Sequence, residues 1–501
     1  MPICNDFPTL RPALLGLAAA AALSLSACGG GGGGNGATGD GPAGPALTTG
    51  TVAILITDAP TDEFCHIYAD VESIDLLGTS GTPTNVFVGP ETVDLLDLRN
   101  YSDVFSIATG VPIGSYEKVR MTLSDLALVE CDPVTGLPEA EANWEHPRLP
   151  GNGKMDLNPR GMFEVIGGET LVIELDMDMN KSLHLHQTGN GRWQFRPVIF
   201  VTIRPDDTKL VRVFGEVRNL GTSTFELCPI EPASSTDTDG PNTGFDECID
   251  VFTDAGTGIF DETGSPVGFS AIANQDLLTA IGFLGLHDDA DGDSRMDDLR
   301  LDAAVLELGP IDTFERIRGA VVSAPGNNDL FEFDGAPLDP LTGTFDVLLQ
   351  QGTRIFALGS NEVLTSAALQ PGTAGEVDGV FTDPPTAGEP LKSSLIVLDQ
   401  DTTPAASILD ATIASIPADD DAVPETRRIV VDTTGLPGQC VKTDVETRYL
   451  LIAESPTSSE TTEITFADLA PADSVDVYGT TDTVELNCVL ADTIQKYESG
   501  P

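Results

Sequence analysis

Positively charged residues are scarce in this chain of 501 residues, which has 25 lysines and arginines against 79 aspartates and glutamates and a formal net charge of −54 at pH 7. A field of that sign repels nucleic acid and anionic lipid, so the sequence excludes nucleic-acid binding. The acidic excess keeps the chain soluble in a salty medium, where counter-ions screen its self-repulsion. Solubility explains the surface as a whole better than cation binding, which is the alternative interpretation of the same charge.

The chain also lacks the features that mark membrane spans and common enzymes. Beyond the N-terminal segment, no apolar run is long enough to cross a bilayer as a helix. The nucleophile motif GxSxG, the zinc-protease motif HExxH and the phosphate loop are absent, and no GxGxxG lies between a strand and a helix. These absences favour a protein without catalytic activity.

The N-terminus has the features of an export signal. Residues 13–25 form an apolar run that is too short to span a membrane and has the length of a signal-peptide core. The run ends in Leu25-Ser26-Ala27-Cys28, which resembles the lipobox of bacterial lipoproteins. The resemblance implies that residues 1–27 are removed as a signal peptide and that lipid attached to Cys28 holds the protein to a membrane. An ordinary secretory signal with an incidental cysteine is the alternative.

The segment that begins at Cys28 predicts a tether. Residues 28–49 are rich in glycine, with Gly29 to Gly34 in succession, and such a sequence has too much backbone entropy to fold alone. Gly29 occupies the position at which an aspartate tends to retain Gram-negative lipoproteins in the inner membrane. By analogy, the sequence predicts an outer-membrane lipoprotein of the bacterial cell envelope, either periplasmic or surface-exposed.

Six cysteines remain once the signal peptide and Cys28 are set aside. An even number of cysteines in an exported chain indicates disulfides. These cysteines fall two by two into the domains proposed below, which predicts the bridges Cys65–Cys131, Cys228–Cys248 and Cys440–Cys488. No CxxC spacing is present, so the sequence does not favour a zinc or redox role for them.

Residues 50–204 have the pattern of a β-sandwich. Thr51 to Thr57 is an apolar strand, and Cys65 to Ile74 alternates apolar and polar residues with a period of two, as a half-buried strand does. Further short strands follow, and the last of them, Trp193 to Ile203, comes after a hairpin turn at Thr188 to Gly191. Many short strands separated by turns are typical of two packed sheets.

Four motifs in this region resemble a known family. The opening LITDAP, TDEF and IYADVESIDLL, the segments VDLLDLRN and VPIGSYEKVRMTL, and the closing RPVIFVTI are similar to domain-of-unknown-function family 4382, which occurs in exported bacterial and archaeal lipoproteins. The resemblance implies a β-sandwich and an envelope location. It brings no known activity and no known catalytic residues.

The remainder of the chain is repetitive. The segment Val211 to Val217 is similar to Phe314 to Val322 and, more loosely, to Ile408 to Ile413, and similar strand, glycine and turn patterns follow each of them. A period of roughly 90–100 residues suits a small closed barrel and is too long for a solenoid unit. We therefore predict three β repeats, at residues 208–310, 314–401 and 406–498.

The third repeat has a resemblance of its own. Its segment Phe466 to Val475 resembles domain-of-unknown-function family 5666, whose repeats end on the phrase dL-x-x-G-d-x-V, with Ala472 in the place of that glycine. The resemblance implies tandem small β-barrels. The predicted fold is thus all-β: a β-sandwich followed by about three tandem small β-barrel-like repeats, arranged as a tethered rod.

One loop is a candidate calcium site. Between Asp288 and Asp298, alternating aspartates can direct several oxygens at one cation, and the candidate ligands are Asp289, Asp291, Asp293 and Asp297. The EF-hand template fails, because Ser294 and Arg300 stand at its sixth and twelfth positions. A solvated hairpin tip is the alternative interpretation of this loop.

Two histidines are a second candidate metal site. His184 and His186 lie two residues apart on a predicted strand, so they face the same way. The pair suits zinc or copper, with Asp176 or Asp178 on the preceding strand as oxygen ligands. An ordinary polar strand face is the alternative.

Few other residues suggest chemistry. Asp58 and Asp62 could act as the paired carboxylates of a glycosidase, but aspartate in an Asp-Ala-Pro turn commonly caps its own backbone. Trp144, Trp193 and Tyr101 could stack on sugar rings, although the strand pattern around Trp193 favours a place in the core.

Together these patterns predict a non-enzymatic, lipid-anchored envelope or cell-surface protein. Its expected ligand is extracellular, with a glycan, matrix material or a partner protein as the classes that suit tandem β modules on a tether. A carboxylate-dependent hydrolase and a calcium-stabilised structural module are the alternatives. The first would show two facing acids with raised pKa in one cleft, and the second a melting temperature that depends on calcium.

Overall fold

The structure is a computed structural model that describes residues 47–57, 64–79, 82–98, 101–132, 138–185, 193–195, 198–203, 209–229, 248–287, 298–326, 328–335, 343–381, 389–400, 405–417, 427–454, 458–482, 484–485 and 487–498. Strands dominate these residues, and their α-helix is the single turn Met179–Ser182 (α1). The predicted all-β fold class is confirmed. No helix among the described residues is both long enough and apolar enough to cross a membrane.

The first domain is a sandwich of two sheets. Its strands are β1 (Thr49–Thr57), β2 (His66–Gly78), β3 (Pro83–Asp94), β4 (Ser102–Pro112), β5 (Gly114–Val129), β6 (Lys154–Asn158), β7 (Phe163–Val165), β8 (Thr170–Met177), β9 (Leu183–Leu185), β10 (Trp193–Phe195) and β11 (Ile199–Ile203). One sheet has the strand order β11-β8-β1-β4, and the other has the order β6-β5-β2-β3, with β7 also paired to β5. β9 and β10 form a separate hairpin.

Three repeats follow the sandwich. The first contains β12 (Leu210–Arg218), β13 (Thr224–Cys228), β14 (Ile249–Phe252), β15 (Gly258–Phe260), β16 (Leu277–His287) and β17 (Asp298–Leu308). The second contains β18 (Glu315–Val321), β19 (Leu330–Gly335), β20 (Gly343–Ala357), β21 (Ala374–Val380) and β22 (Leu391–Asp399). The third contains β23 (Ala405–Ser415), β24 (Arg427–Thr433), β25 (Leu436–Thr443), β26 (Arg448–Glu454), β27 (Ser459–Ile464), β28 (Ser474–Thr481) and β29 (Cys488–Glu498).

All three repeats share one topology. In the second repeat, β18-β19-β20-β22-β21 closes into a barrel, and its third and fifth strands, β20 and β22, are parallel. The pairings β12-β13-β14-β17-β16-β12 and β23-β24-β25-β29-β28-β23 form the same ring in the first and third repeats, again with a parallel third and fifth strand. This is the five-stranded Greek-key arrangement of the OB-fold.

A shared turn leads into the fourth strand of each ring. A one-turn 3₁₀ helix precedes that strand at Phe269–Ala271, Ser366–Ala368 and Phe466–Asp468. Four residues beyond each helix, Gln275, Gly372 and Ala472 have φ angles of 76°, 88° and 76°. A positive φ suits glycine, because a side chain meets the backbone there. Ala472 therefore occupies a position whose backbone conformation favours glycine, the residue expected there in the phrase dL-x-x-G-d-x-V.

Replacing Ala472 with glycine should raise the free energy of unfolding by about 0.5–1 kcal/mol, because the relief of backbone strain exceeds the added entropy of the unfolded chain. Ala472 is exposed, so the substitution removes no packing. Ala470 is a matched control, since it is also exposed and its φ is not positive. Ala470→Gly should destabilise in the same urea titration. Equal losses for both variants would show that the turn imposes no strain.

The first strand has an apolar run because both of its faces are buried. Val52, Ile54 and Ile56 lie in the core of the sandwich. Ala53 and Leu55 point the other way and pack into the core of the first repeat. Strands covered on both faces lose the alternation that marks half-buried strands, and the alternating burial of β2 is the contrasting case.

The predicted rod is wrong, because the third repeat folds back onto the sandwich. Its β27 lies beside β6 as a parallel partner, from Ser459 opposite Met155 to Thr462 opposite Asn158. The Lys118 ammonium also contacts the Glu460 carboxylate at 2.6 Å across this seam. β26 and β27 are an insertion between the third and fourth strands of the ring. They satisfy the backbone groups that an open edge of the sandwich would leave unpaired.

Three disulfides lie within the domains. They join Cys65 to Cys131, Cys228 to Cys248 and Cys440 to Cys488. The last pair bridges β25 and β29, so it reinforces the parallel seam that closes the third ring. Each bridge restricts the unfolded chain and so favours the folded state.

Candidate ligand-binding cleft

A cleft of about 540 Å³ lies where the sandwich meets the second repeat. The sandwich contributes the end of β1, the start of β2, the end of β3 and the start of β4, and the second repeat contributes β18 and β21. Its charged lining consists of Glu91, Asp94, Asp97, Asp103, Glu315 and Glu376, together with His66, Arg316 and Arg318. Carboxylates and guanidinium groups thus face one cavity.

The motif VDLLDLRN builds one wall of this cleft. After β3 ends at Asp94, the 3₁₀ turn Leu95–Leu98 buries its leucines and leaves Asp97 accessible in the cleft. Asp94 fixes the turn, since its Oδ1 accepts hydrogen bonds from the backbone N–H groups of Leu96 and Ile67, both at 3.2 Å. Aspartate side chains commonly hold turns in this way.

His66 has a fixed orientation at the edge of the cleft. Its Nδ1 lies 2.6 Å from Asp94 Oδ2, and this hydrogen bond raises the pKa of the imidazole. The ring stacks on Tyr68 at 5.3 Å between centroids, and Tyr68 in turn contacts Trp144 at 5.4 Å. Trp144 is half-buried and donates from Nε1 to the backbone oxygen of Glu139. The three rings therefore pack in a row, and of the three only His66 lines the cleft.

The two arginines of β18 differ in their partners. Arg318 donates to the backbone oxygen of Leu96 at 2.8 Å and lies 3.9 Å from the Glu376 carboxylate. Arg316, on the same face of the strand, makes no hydrogen bond and no ion pair within the part of the chain that the structure describes. A half-buried guanidinium without a partner has donors available to a ligand.

Two carboxyl groups of the cleft have pKa values above the ordinary value for aspartate. Although Asp97 is accessible at the surface of the turn, desolvation by the surrounding walls of the cleft raises its pKa, and the charge of Asp94 raises it further against the opposing effect of Arg316. Burial also raises the pKa of Asp103, whose Oδ1 is inaccessible to solvent and has no hydrogen-bond partner among the described residues. Perturbed acids in a cleft are a common property of functional sites.

A buried cluster beneath the cleft joins the three modules around it. Arg212 of β12 donates to Asp378 Oδ2 of β21 at 2.8 Å, and these side chains are 3% and 1% exposed. Tyr101 of the sandwich donates to the same oxygen at 3.3 Å, and the Arg212 guanidinium lies 4.0 Å from its ring centroid. Burial raises the pKa of Asp378 while Arg212 opposes that shift. The cluster fixes the relative positions of the cleft walls.

Most residues singled out from the sequence lie outside the part of the chain that the structure describes. Asp289, Asp291, Asp293, Asp297, His186, Asp58, Asp62 and Cys28 lie outside the described residues. His184 is opposite Gln194 in the β9–β10 ladder, and its side chain is likewise outside the description. Asp178 is engaged by Lys181, through the backbone N–H at 2.9 Å and an ion pair at 2.5 Å. The calcium and histidine sites therefore stay predictions.

Among the described residues, two groups have three potential metal-ligand atoms close together. They are Glu226 with Cys228 and Cys248, and Glu485 with Cys440 and Cys488. Both cysteines of each group are joined in a disulfide, which removes the thiolates that a metal would need. The carboxylates of the cleft do not form such a group, so the described part of the cleft is not a preformed metal site.

Sequence reasoning missed the cleft because its walls are far apart in the chain. Asp97 lies in the motif VDLLDLRN, which resembles the family, and Arg316 and Arg318 lie in the repeated segment Phe314 to Val322. One signal was present. Two arginines in i, i+2 positions of a strand share a face, which is unusual in a chain with so few basic residues.

The comparisons with known proteins concern the first domain. No curated protein and no solved structure matches the chain. The predicted resemblance of the sandwich is confirmed, because residues 49–197, from the start of β1 to just beyond β10, match the family described as Domain of unknown function (DUF4382).

Proposed function

We propose that this protein is a non-enzymatic, lipid-anchored protein of the bacterial envelope or cell surface that binds a glycan in the cleft between the sandwich and the second repeat. The anchor is inferred from the apolar run of residues 13–25 and the Leu25-Ser26-Ala27-Cys28 sequence. The ring topology and the turn at Ala472 support membership of the repeats in family 5666.

The observation that carries the proposal is the mixture of groups in the cleft. The Asp97 carboxylate can accept hydrogen bonds from a ligand, and the Arg316 guanidinium, which has no hydrogen bond or ion pair within the described chain, can donate them. A hydroxyl group does both, so a polyhydroxylated ligand can satisfy both kinds of side chain at once.

The charge of the cleft favours a neutral saccharide. Six carboxyl groups line the cavity against two guanidinium groups, and the whole chain has a net charge of −54. This field disfavours an anionic ligand. The same field would attract a compact cation, but among the described residues the cleft carboxylates do not bring three ligand atoms together to hold one. A neutral sugar carries neither penalty.

Replacing Arg316 with alanine should abolish most retention of neutral glycans, because it removes the donors that no protein group engages. The test uses the unlipidated chain, residues 28–501 with Cys28→Ser, on an array of bacterial and environmental polysaccharides. A tenfold or greater loss of affinity corresponds to at least about 1.4 kcal/mol, the range of a hydrogen bond to a charged group.

Arg354 provides the matched control for Arg316. It is also half-buried and also makes no hydrogen bond or ion pair within the described chain, but it lines two other grooves, which share no residue with the cleft. Arg354→Ala should retain glycans as the parent does. Equal losses in both variants, or no glycan retained by the parent, would contradict binding at the cleft.

The proposed location has its own test. Protease treatment of intact cells, followed by immunoblotting for the folded domains, should remove the signal if the protein is displayed on the surface. Protection until the outer membrane is broken would instead place it in the periplasm. In that case the ligand would be sought among the glycans of the envelope.

A second candidate function is hydrolysis of a polysaccharide by carboxyl groups. The observation that favours it is that Asp97 and Asp103, both with raised pKa, line one cleft. A glycosidase needs a protonated acid beside an ionised partner. Release of new reducing ends from a retained glycan, lost in Asp97→Asn and in Asp103→Asn, would establish this activity. Retention without cleavage would leave binding as the function.

A further inference from the structure

Two turns of the sandwich meet at the point where the chain enters it. The backbone N–H of Ile113, in the turn between β4 and β5, donates to Thr48 at 3.1 Å. Gly114 is opposite Val165 at the end of β7, which brings Ile166 beside the same turn. Gly168, in the turn between β7 and β8, donates to Thr49 at 2.9 Å. Leu47, Ile113 and Ile166 therefore share one end of the domain.

These three side chains form what we call the apolar tip. Leu47 is 47% exposed, Ile113 is 50% exposed and Ile166 is 40% exposed. Single exposed apolar residues are common on protein surfaces. A cluster contributed by three separate segments is different, because apolar patches of this kind mark surfaces that meet a partner or a membrane.

The position of Leu47 identifies the partner. It follows Cys28 by 19 residues, which reach at most about 65 Å when fully extended. This inference rests on the proposed lipid anchor. With lipid on Cys28 holding the chain to a bilayer, the apolar tip contains the first described residue that follows the anchor along the chain. We infer that the apolar tip inserts among the headgroups of a zwitterionic lipid surface and orients the protein on it. Anionic headgroups would repel a chain of net charge −54.

The orientation has a consequence for the cleft. β1 runs from Thr49 at the tip to Ile56 in the lining of the cleft, and β4 runs back from Asp103 in the cleft to Pro112 at the tip. A strand of 9 residues extends about 30 Å. A protein seated on its tip therefore displays the cleft about that far from the lipid surface and facing away from it.

The test attaches the mature chain, residues 28–501, to vesicles without relying on natural lipidation. In this chain Cys28 supplies the thiol outside the three disulfides, and it is coupled to a maleimide headgroup in phosphatidylcholine vesicles with brominated acyl chains. Ile113→Trp and, separately, Ile166→Trp report the tip. Leu436→Trp is the control, since Leu436 is 64% exposed on the third repeat. Trp144 and Trp193 give a constant background.

We expect bromine to quench most of the emission that Ile113→Trp and Ile166→Trp add, and to leave that of Leu436→Trp unchanged. Replacing phosphatidylcholine with brominated phosphatidylglycerol should reduce the quenching at the tip. Absence of quenching at both tip positions, or equal quenching at Leu436, would overturn the inference. The vesicle experiment attaches the protein through a maleimide linker, so such a result would not bear on natural lipidation. Metabolic lipid labelling of cells that express the parent chain or the Cys28→Ser variant tests natural lipidation separately.

Discussion

Replacement of Arg212 by alanine is expected to lower the free energy of unfolding by about 3–5 kcal/mol. Arg212 and Asp378 are almost inaccessible to solvent, and their 2.8 Å contact joins the first repeat to the second. Removal of the guanidinium leaves the carboxylate buried without its cation. The loss should shrink at lower pH, because burial already raises the pKa of Asp378 and a protonated carboxyl needs no cation.

Urea titration at pH 8 and pH 5 measures this effect. Arg218 is a matched control on the same strand, since it pairs with Glu216 at 3.3 Å and is 47% exposed. Arg218→Ala should cost less than about 1 kcal/mol at either pH, as surface ion pairs do. Similar small losses for both arginines would show that the buried cluster does not hold the modules together.

Removal of the Cys65–Cys131 disulfide should cost about 4 kcal/mol, because the bridge closes a sequence separation of 66 residues in the unfolded chain. Cys65 also lines the cleft, and it anchors the start of β2 by donating from its backbone to Val129 at 2.8 Å. The double variant Cys65→Ala, Cys131→Ala should therefore melt at a lower temperature and bind glycan less tightly.

The bridge between Cys228 and Cys248 provides the comparison. It spans 20 residues, for which the same chain-entropy relation gives about 3 kcal/mol. Cys228→Ala with Cys248→Ala should lower the melting temperature by less and leave glycan retention unchanged, because neither cysteine lines the cleft. A reversed order of the two losses would show that the bridges act through native contacts rather than through the unfolded chain.

Local patterns predicted several of the strands, although the predicted strand from Trp193 to Ile203 is divided between β10 and β11, which lie in different sheets. Ile67, Ala69 and Val71 alternate with polar residues, which indicated β2. In the structure these three residues are buried, and the residues between them are half-buried. The repeated first strands indicated three similar units, and Ala472 has a positive φ of 76°, which favours glycine at that position. These features depend on residues close together in sequence.

The arrangement of the units could not be predicted in the same way. The pairing of Ser459 with Met155 joins strands that lie some three hundred residues apart, and nothing in either segment specifies the other. Ala53 and Leu55 belong to an unbroken apolar run in the sequence, but the run does not show that the first repeat covers them. The rod was therefore the simplest expectation for tandem repeats, and it failed where an inserted hairpin found an open sheet edge.

The candidate site escaped prediction for the same reason. Asp97, Asp103 and Arg316 come from three segments with no shared motif, and only the packing of the second repeat on the sandwich brings them into one cavity. Sequence reasoning instead favoured local clusters such as Asp289 to Asp297, where several ligand atoms lie within a few residues. A site built across a domain junction leaves no such local pattern.

Amide hydrogen exchange of the unlipidated chain, with and without the glycan that it retains best, tests the central claim most directly. The account predicts slower exchange in the segments 91–98, 103–105 and 314–318, which contain most of the cleft lining, and no change at the apolar tip on the opposite end of the sandwich. Protection at the tip or on the faces of the third repeat, with the cleft unchanged, would contradict it.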